Sequence, residues 1–249
     1  MLSKAGLEVV VVGGGLVGLS AAYYLQRSGA RVTVLEQRAI AANVPAISLK
    51  EAVWFSSKKA PLTDLSKRGA TLLHSLLEDI GYASSVINQT IGEVDRASAP
   101  LDNTSQHHPI ELRVMLWELA DLVRERGGKI FELTDATNLT FSASRVTGVV
   151  TSIGHFVADE VVIAAGLGSQ WLLNPAGLKL GLKIGTCKDF AKSDAVRSRR
   201  YVPLTSQKEP FISRPTTLQR TVIAVGHGNN PVAALAAGER AASLVGSPA

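Results

Sequence analysis

The sequence has few of the residues that mark a disulfide-stapled, zinc-bound or membrane-spanning protein. It contains one cysteine, Cys187, in 249 residues. A single thiol excludes a disulfide scaffold and a zinc site built on thiolates, and it is typical of a reducing compartment, so we expect a cytoplasmic protein. No apolar run reaches the roughly 18 residues of a membrane-spanning helix, so we expect no membrane span. With 46% hydrophobic and 19% charged residues, the composition is that of an ordinary globular protein.

The net charge of +5 is concentrated in one part of the chain. Residues 187–220 contain eight basic and three acidic side chains, so this stretch carries the whole excess. A local basic segment suits an anionic partner, and a carboxylate, a phosphate, a nucleic acid and a merely solvated loop all stay open on charge alone. The stretch lacks interleaved aromatic residues and a known nucleic-acid-binding motif, so we expect no nucleic-acid partner. We also expect no metal, because His107 and His108 have no third ligand at a suitable spacing.

The first 36 residues have the pattern of one βαβ unit. Residues 8–12 contain four consecutive valines, which is typical of a buried strand in a parallel sheet. An apolar helix is predicted over residues 16–27 and stops at Gly29. A second strand is predicted over residues 31–35 and ends at Glu36.

A glycine-rich turn, Gly-Gly-Gly-Leu-Val-Gly, joins this first strand to the helix. Gly13 permits the tight turn, Gly15 lets a diphosphate approach the backbone, and Gly18 lets the helix pack closely on the strand. The free amides and the positive end of the helix dipole favour an anion at this point. Glu36 would accept hydrogen bonds from ribose hydroxyls and would repel a 2′-phosphate. The unit therefore predicts FAD or NAD as cofactor and disfavours NADP.

The rest of the chain predicts an α/β fold, with a Rossmann-like parallel sheet and a small or truncated antiparallel region. Further helices are predicted over residues 65–80, 110–126 and 231–245. Further strands are predicted over residues 129–133, 145–152, 155–165 and 221–225.

The closing segment separates FAD from NAD. A strand up to Gly226 is followed by the turn His227-Gly228-Asn229-Asn230 and a helix that begins at Pro231. Here the chain resembles the D-amino acid oxidase and glycine oxidase family of FAD-dependent amine oxidoreductases. The resemblance implies that this turn brings a helix amino terminus to the pyrimidine edge of the flavin, where the dipole stabilises the negative charge of the reduced ring. The resemblance therefore implies FAD, not NAD, as the cofactor.

Three further segments support the resemblance. Residues 161–166 resemble a second strand that contacts the flavin, and Tyr201-Val202-Pro203 resembles a strand that borders the substrate pocket. The segment around Arg214-Pro215-Thr216 resembles one whose arginine binds the substrate carboxylate in two parallel hydrogen bonds. The resemblance further implies that Tyr201 lends a hydroxyl to that carboxylate and that His227 has a positioning role near the flavin.

These patterns and the resemblance define a site and a domain division. The implied catalytic residues are Arg214, Tyr201 and His227. The implied cofactor-binding residues are Gly13, Gly15, Leu16, Val17, Gly18, Glu36, Gln37, Arg38, Ala165, Gly166, Gly226, Gly228, Asn229 and Asn230. The predicted FAD-binding domain comprises residues 1–42, 110–186 and 221–249, and the predicted substrate or cap region comprises residues 43–109 and 187–220.

The resemblance implies oxidation of the C–N bond of a D-amino acid, a glycine derivative or a secondary amine such as an opine. Hydride would pass to flavin N5 and water would hydrolyse the imine. The electron acceptor stays open between oxygen, a quinone and another subunit. An alternative is an FAD-binding but catalytically impaired, shortened member or partner subunit of such an enzyme. It is based on the absence of glycine between residues 30 and 68 and on the few residues left to build a substrate sheet.

Overall fold

A computed structural model gives the fold and describes residues 4–44, 47–50, 52, 63–91, 110–188, 199–205, 210–227 and 230–247. The strands are β1 (Glu8–Val12), β2 (Arg31–Leu35), β3 (Lys129–Phe131), β4 (Ala136–Ser142), β5 (Arg145–Thr151), β6 (Gly154–Val157), β7 (Glu160–Ile163), β8 (Lys183–Lys188), β9 (Arg199–Leu204), β10 (Phe211–Ser213) and β11 (Thr221–Val225). The helices are α1 (Leu16–Arg27), α2 (Thr63–Ile80), α3 (Ser84–Ile91), α4 (Leu112–Glu125), α5 (Gly168–Leu173) and α6 (Pro231–Leu244).

A six-stranded sheet in the order β10-β11-β7-β1-β2-β3 forms the centre of the molecule. Its strands pair in parallel except for β10, which is antiparallel to β11. The four valines of β1 are almost fully buried because helices or a second sheet cover both faces. The α/β class and the mostly parallel sheet are therefore as predicted.

Helices α1, α2, α4 and α6 share one hydrophobic core with Val9 and Val11 of β1. Two glycines let the backbones of these helices come into direct contact. A Cβ atom at Gly238 of α6 would lie 2.5 Å from the Val17 carbonyl oxygen of α1, and one at Gly69 of α2 would overlap the Val232 carbonyl group of α6. Helix α6 is thus held between α1 and α2.

The opposite face of the sheet, with Val10 and Val12, packs against a second core. This core contains residues of the three-stranded antiparallel sheet β4-β5-β6 and of the short helix α5. Strands β8 and β9 form a separate antiparallel pair.

Residues 155–165 do not form one strand, and that prediction is wrong. They form β6 in the antiparallel sheet and β7 in the central sheet, and the chain changes sheets at Ala158 and Asp159. Asp159 fixes this crossing because its backbone amide donates to the Glu8 carbonyl while its carboxylate accepts from the Glu8 amide at 2.9 Å. The apolar pattern continues across the crossing, which explains why it resembles one strand.

The division into an FAD-binding domain and a cap region stays a prediction. Two elements from the predicted cap region, α2 and β10, pack with the central sheet and its helices. Among the helices in the described residues, none combines the length and apolarity that a membrane crossing requires.

Candidate cofactor site

The glycine turn after β1 is shaped by close backbone contacts. Gly13 has a φ of +113°, and a Cβ atom there would overlap the Ala164 carbonyl oxygen at the end of β7. A Cβ atom at Gly18 would overlap the Gly13 carbonyl oxygen, so only glycine lets α1 start this close to β1. In contrast, a Cβ atom at Gly15 would meet nothing within 4 Å. The turn is therefore packed against protein at Gly13 and Gly18 and open at Gly15.

Helix α1 begins at this opening with unsatisfied backbone donors. Gly15 is its N-cap and supplies no side-chain hydrogen bond, and no acidic residue lies in the first turn. The first amides of a helix have no intrahelical acceptor, and the helix dipole adds about half a positive charge there. Leu16 and Val17 are half-buried beside the opening. The arrangement suits a diphosphate at the backbone of residues 15–17.

Glu36, directly after β2, lies against the same turn. Its carboxylate accepts from the Gly14 amide at 2.7 Å and from the Arg38 amide at 2.9 Å. An ionised carboxylate offers about four acceptor positions, so about two remain for ribose hydroxyls. Gln37 and Arg38 are exposed next to it.

Three neighbouring parallel strands bring the other predicted segments to the same place, the carboxyl ends of β1, β7 and β11. We call this end of the sheet the cofactor edge and the opposite end the amino edge. Ala165 and Gly166 follow β7, and Gly226 and His227 follow β11. Strand β7 lies between β1 and β11, so the ends of β1 and β11 are two strand spacings, or about 10 Å, apart. The glycine turn and the turn before α6 therefore lie at one edge, as a single extended dinucleotide requires.

A model of the DAO family, described as FAD dependent oxidoreductase, matches residues 8–99 and 105–191, which is well over half of the chain. The chain belongs to the DAO family of FAD-dependent oxidoreductases. The predicted family and its cofactor, FAD, are thereby confirmed.

Relatives and solved structures agree with this assignment. An uncharacterized oxidoreductase, YurR, of Bacillus subtilis strain 168 is 25% identical over 217 residues, which cover 68% of this chain and 57% of that protein. A D-amino acid dehydrogenase of Cereibacter sphaeroides is 44% identical over 62 residues, or 25% of this chain and 14% of that protein. The chain therefore spans little more than half of the first relative and a small part of the second.

Two solved structures show the same fold. An L-amino acid deaminase from Proteus myxofaciens in complex with anthranilate superimposes with a TM-score of 0.73 at 15% identity, covering 98% of this chain and 91% of that one. A glycine oxidase from Bacillus cereus ATCC 14579 superimposes with a TM-score of 0.68 at 15% identity, covering 96% and 94%. At this level of identity the likeness concerns the fold.

The residues at the strand ends fit the DAO-family cofactor. Besides the opening at Gly15, two of the six buried side-chain polar atoms that have no hydrogen-bond partner within the described residues follow these strands, Ser169 Oγ after β7 and His227 Nε2 after β11. An unpartnered buried polar atom costs about 1–3 kcal/mol, which a ligand with donors and acceptors can recover. Ser169 was not among the predicted residues, because a lone serine in a sequence gives no sign of burial.

Arg214 lies elsewhere, and its position corrects the prediction that it binds a substrate carboxylate. Its two terminal nitrogens bind the Glu160 carboxylate at 2.5 and 3.1 Å, and one also donates to the Leu244 carbonyl at 3.0 Å. Glu160 is the first residue of β7, so the pair lies at the amino edge of the sheet, opposite the glycine turn. The physical reason is β10, whose antiparallel course from Phe211 to Ser213 leads the chain away from the cofactor edge.

Two other predicted site residues, Tyr201 and Asn230, lie on a strand of the separate β8-β9 pair and at the cap of α6. Tyr201 is 62% exposed on β9, whose partner strand is β8. The Asn230 side chain caps α6: its amide oxygen accepts from the Ala233 amide at 2.9 Å, and its amide nitrogen donates to Ser66 Oγ at 2.9 Å. The Asn230 side chain therefore holds the start of α6, and its role at the cofactor stays a prediction. Gly228 and Asn229, like His107 and His108, lie outside the described residues.

The corrected role of Arg214 gives a stability prediction. Replacing one partner of a buried ion pair leaves an uncompensated charge and typically costs about 3–5 kcal/mol. We expect Arg214→Ala to lower the free energy of unfolding by about that amount in urea titrations. Arg240→Ala, an exposed arginine on α6, should change it by less than about 0.5 kcal/mol. Unchanged stability together with weaker substrate binding would restore the carboxylate-binding prediction.

His227 gives a prediction about pH. Burial lowers the pKa of His227 to about 4 from its usual value of about 6.5. As the pH falls, His227 is therefore protonated in the unfolded chain before it is protonated in the folded one. Its contribution to the free energy of unfolding is complete above about pH 6.5 and is lost as the pH falls towards 4.

As the pH falls below 6.5, we expect the free energy of unfolding of the wild-type apoprotein to decrease more steeply than that of His227→Phe. The difference between the two slopes should reach up to about 1.4 kcal/mol per pH unit. Urea titrations between pH 4 and 7 measure the difference. His155→Gln, which removes an exposed imidazole, is the control. Parallel curves for the wild type and His227→Phe would contradict the burial of His227.

Proposed function

We propose that the chain binds FAD through the adenosine diphosphate half and serves in oxidising the C–N bond of a D-amino acid, a glycine derivative or a secondary amine such as an opine. One observation carries the proposal: the open backbone at Gly15 and the carboxylate of Glu36 lie on the same turn. An open turn suits a diphosphate, and the remaining acceptor positions of Glu36 suit a ribose.

The protein groups at this edge bind and orient the cofactor. Amides at the start of α1 would bind the diphosphate, and Glu36 would hold the ribose. Bound there, FAD would supply the redox chemistry, a two-electron oxidation of the substrate C–N bond. His227, whose pKa is lowered to about 4, is uncharged at neutral pH, so its contribution there is shape and hydrogen bonding. Positive potential at that end of the site would come from the amino terminus of α6.

A second candidate function is an FAD-binding subunit that does not turn over substrate by itself. It is favoured by the position of the two residues that were expected to hold the substrate: Arg214 is paired with Glu160, and Tyr201 is exposed on β9, which pairs only with β8 among the described strands. A pair of strands alone buries little apolar area and does not form a closed pocket. In this reading a partner chain completes the substrate side.

A spectrum with a substrate panel separates the two candidates. We expect purified protein, alone or after incubation with FAD, to show flavin absorbance that is released on denaturation. Anaerobic bleaching by any D-amino acid, glycine derivative, secondary amine or opine of the panel supports the oxidoreductase. The second candidate is supported if dithionite reduces the bound flavin but no compound of the panel does. Colourless protein that takes up no FAD contradicts both.

A variant at Gly15 tests the diphosphate position directly. Gly15 has a φ of −83°, and its Cβ position is open, so alanine fits the apoprotein. The new methyl group would stand where the diphosphate approaches, so we expect the dissociation constant for FAD to rise about 10- to 100-fold. The free energy of unfolding should change by less than about 1 kcal/mol. Unchanged affinity measured by fluorescence titration would place the diphosphate elsewhere.

A further inference from the structure

Residues 38–44, which follow Glu36 and which we call the ribose-side segment, are held by side chains from distant parts of the chain. Trp117 Nε1 on α4 donates to the Ile40 carbonyl at 3.1 Å, and the Glu132 carboxylate after β3 accepts from the Ile40 amide at 2.8 Å. Both backbone polar groups of Ile40 are therefore bound by side chains. Arg113, one turn before Trp117 on α4, donates to the Val44 carbonyl at 3.0 Å.

The segment needs this support because it contains a strained residue. Ala41 has a φ of +63°, in the left-handed region that disfavours any residue with a Cβ atom. Such a conformation persists only where the surroundings determine it. The bonds at Ile40 and at Val44 bracket Ala41 and provide that constraint.

Ile40, Ala41 and Val44 are buried in the core shared by the helices, but the segment does not pack against α4 along its whole length. A cleft of about 400 Å³ lies between residues 39–42 and the face of α4 that carries Arg113, Trp117 and Ala120. The hydrogen bonds from Trp117 and Glu132 join the two sides of this cleft. Glu132 is itself oriented, because its second oxygen accepts from Arg124 at 2.9 Å, and Arg124 also binds Asp121 at 2.7 Å.

The segment reaches the candidate cofactor site through Ile40. A Cβ atom at Gly14 would lie 2.5 Å from Ile40 Cδ1 and 3.0 Å from Glu36 Cβ, so Ile40 and Glu36 lie side by side against the glycine turn. The first amide of the segment, on Arg38, also donates to the Glu36 carboxylate. A shift of the segment would therefore move both a wall of the turn and the carboxylate.

We propose that Trp117 and Glu132 are positioning residues for FAD. They hold the ribose-side segment in the conformation in which Ile40 covers Gly14 and Glu36 is oriented for the ribose. The inference rests on the proposed function, because it takes FAD as the ligand of this edge. It assigns α4 and the end of β3 a role in cofactor affinity although neither lies in the glycine turn.

The test compares ligand affinities of folded variants. We expect Trp117→Phe, which keeps a ring and loses the N–H donor, and Glu132→Ala to raise the dissociation constants for FAD and for ADP by about the same factor. A factor of about 3 to 10 corresponds to one net hydrogen bond. Glu132→Gln keeps an acceptor for the Ile40 amide, so it should retain most of the affinity that Glu132→Ala loses. ADP is the decisive probe because it lacks the flavin.

Two variants serve as matched controls. Glu125→Ala removes an exposed carboxylate at the last residue of α4, away from the cleft, and Trp171→Phe removes a 70% exposed indole on α5. Both should bind FAD and ADP as the wild type does. Urea titrations of the apoproteins fix the conditions in which every variant is folded.

The outcomes separate the two proposals. Unchanged ADP affinity in both Trp117→Phe and Glu132→Ala overturns the positioning role, and so does an equal loss in Glu125→Ala. An equal loss in Glu132→Gln and Glu132→Ala shows that charge, not the hydrogen bond to Ile40, matters, which also overturns it. Wild-type protein that binds neither FAD nor ADP overturns the proposed function instead.

Discussion

The close contact between the glycine turn and its two neighbouring strands is the constraint on which the cofactor site depends. Gly18 lies against the Gly13 carbonyl, and Gly13 lies against the Ala164 carbonyl. Because no Cβ atom fits at either position, α1 begins directly at the end of β1 and beside β7. The helix amides consequently face the same opening as Gly15. A looser turn would move these donors away from the strand ends and from the Glu36 carboxylate.

Helix α6 extends this arrangement towards the other end of the site. It follows β11 in the same way that α1 follows β1, so both helices begin at one edge of the sheet. Gly238 and Gly69 let α6 approach α1 and α2 at backbone distance, and the Asn230 cap fixes its first turn. At the opposite edge, the Glu160–Arg214 pair binds the Leu244 carbonyl near the helix end. The two ends of α6 are thus determined by separate interactions, one in the cofactor edge and one far from it.

Local sequence predicts the part of the site that is itself local. The turn, α1 and Glu36 fall within residues 8–36, and helix 16–27 and strand 31–35 have the predicted bounds. The break at Asp159 was not predictable, because it depends on a pairing with Glu8, about 150 residues away. Trp117 and Glu132 were missed for the same reason, since their partner Ile40 lies on another element. The sequence pattern around Trp117 and Glu132 indicates only an exposed helix face and a strand end. It does not indicate that both side chains bind the backbone of Ile40.

Arg214 shows why residue type and net charge do not locate a substrate site. A basic excess indicates that an anion is needed nearby, but the partner can be an internal carboxylate as well as a ligand. Here Glu160 supplies that carboxylate, with side chains that are only 10% and 8% exposed in the pair. The strand direction decides between the two cases: β10 runs antiparallel to β11, so a residue after Ser213 must lie at the amino edge. Direction follows from long-range pairing, so the local geometry of the glycine turn was predictable from the sequence and the position of Arg214 was not.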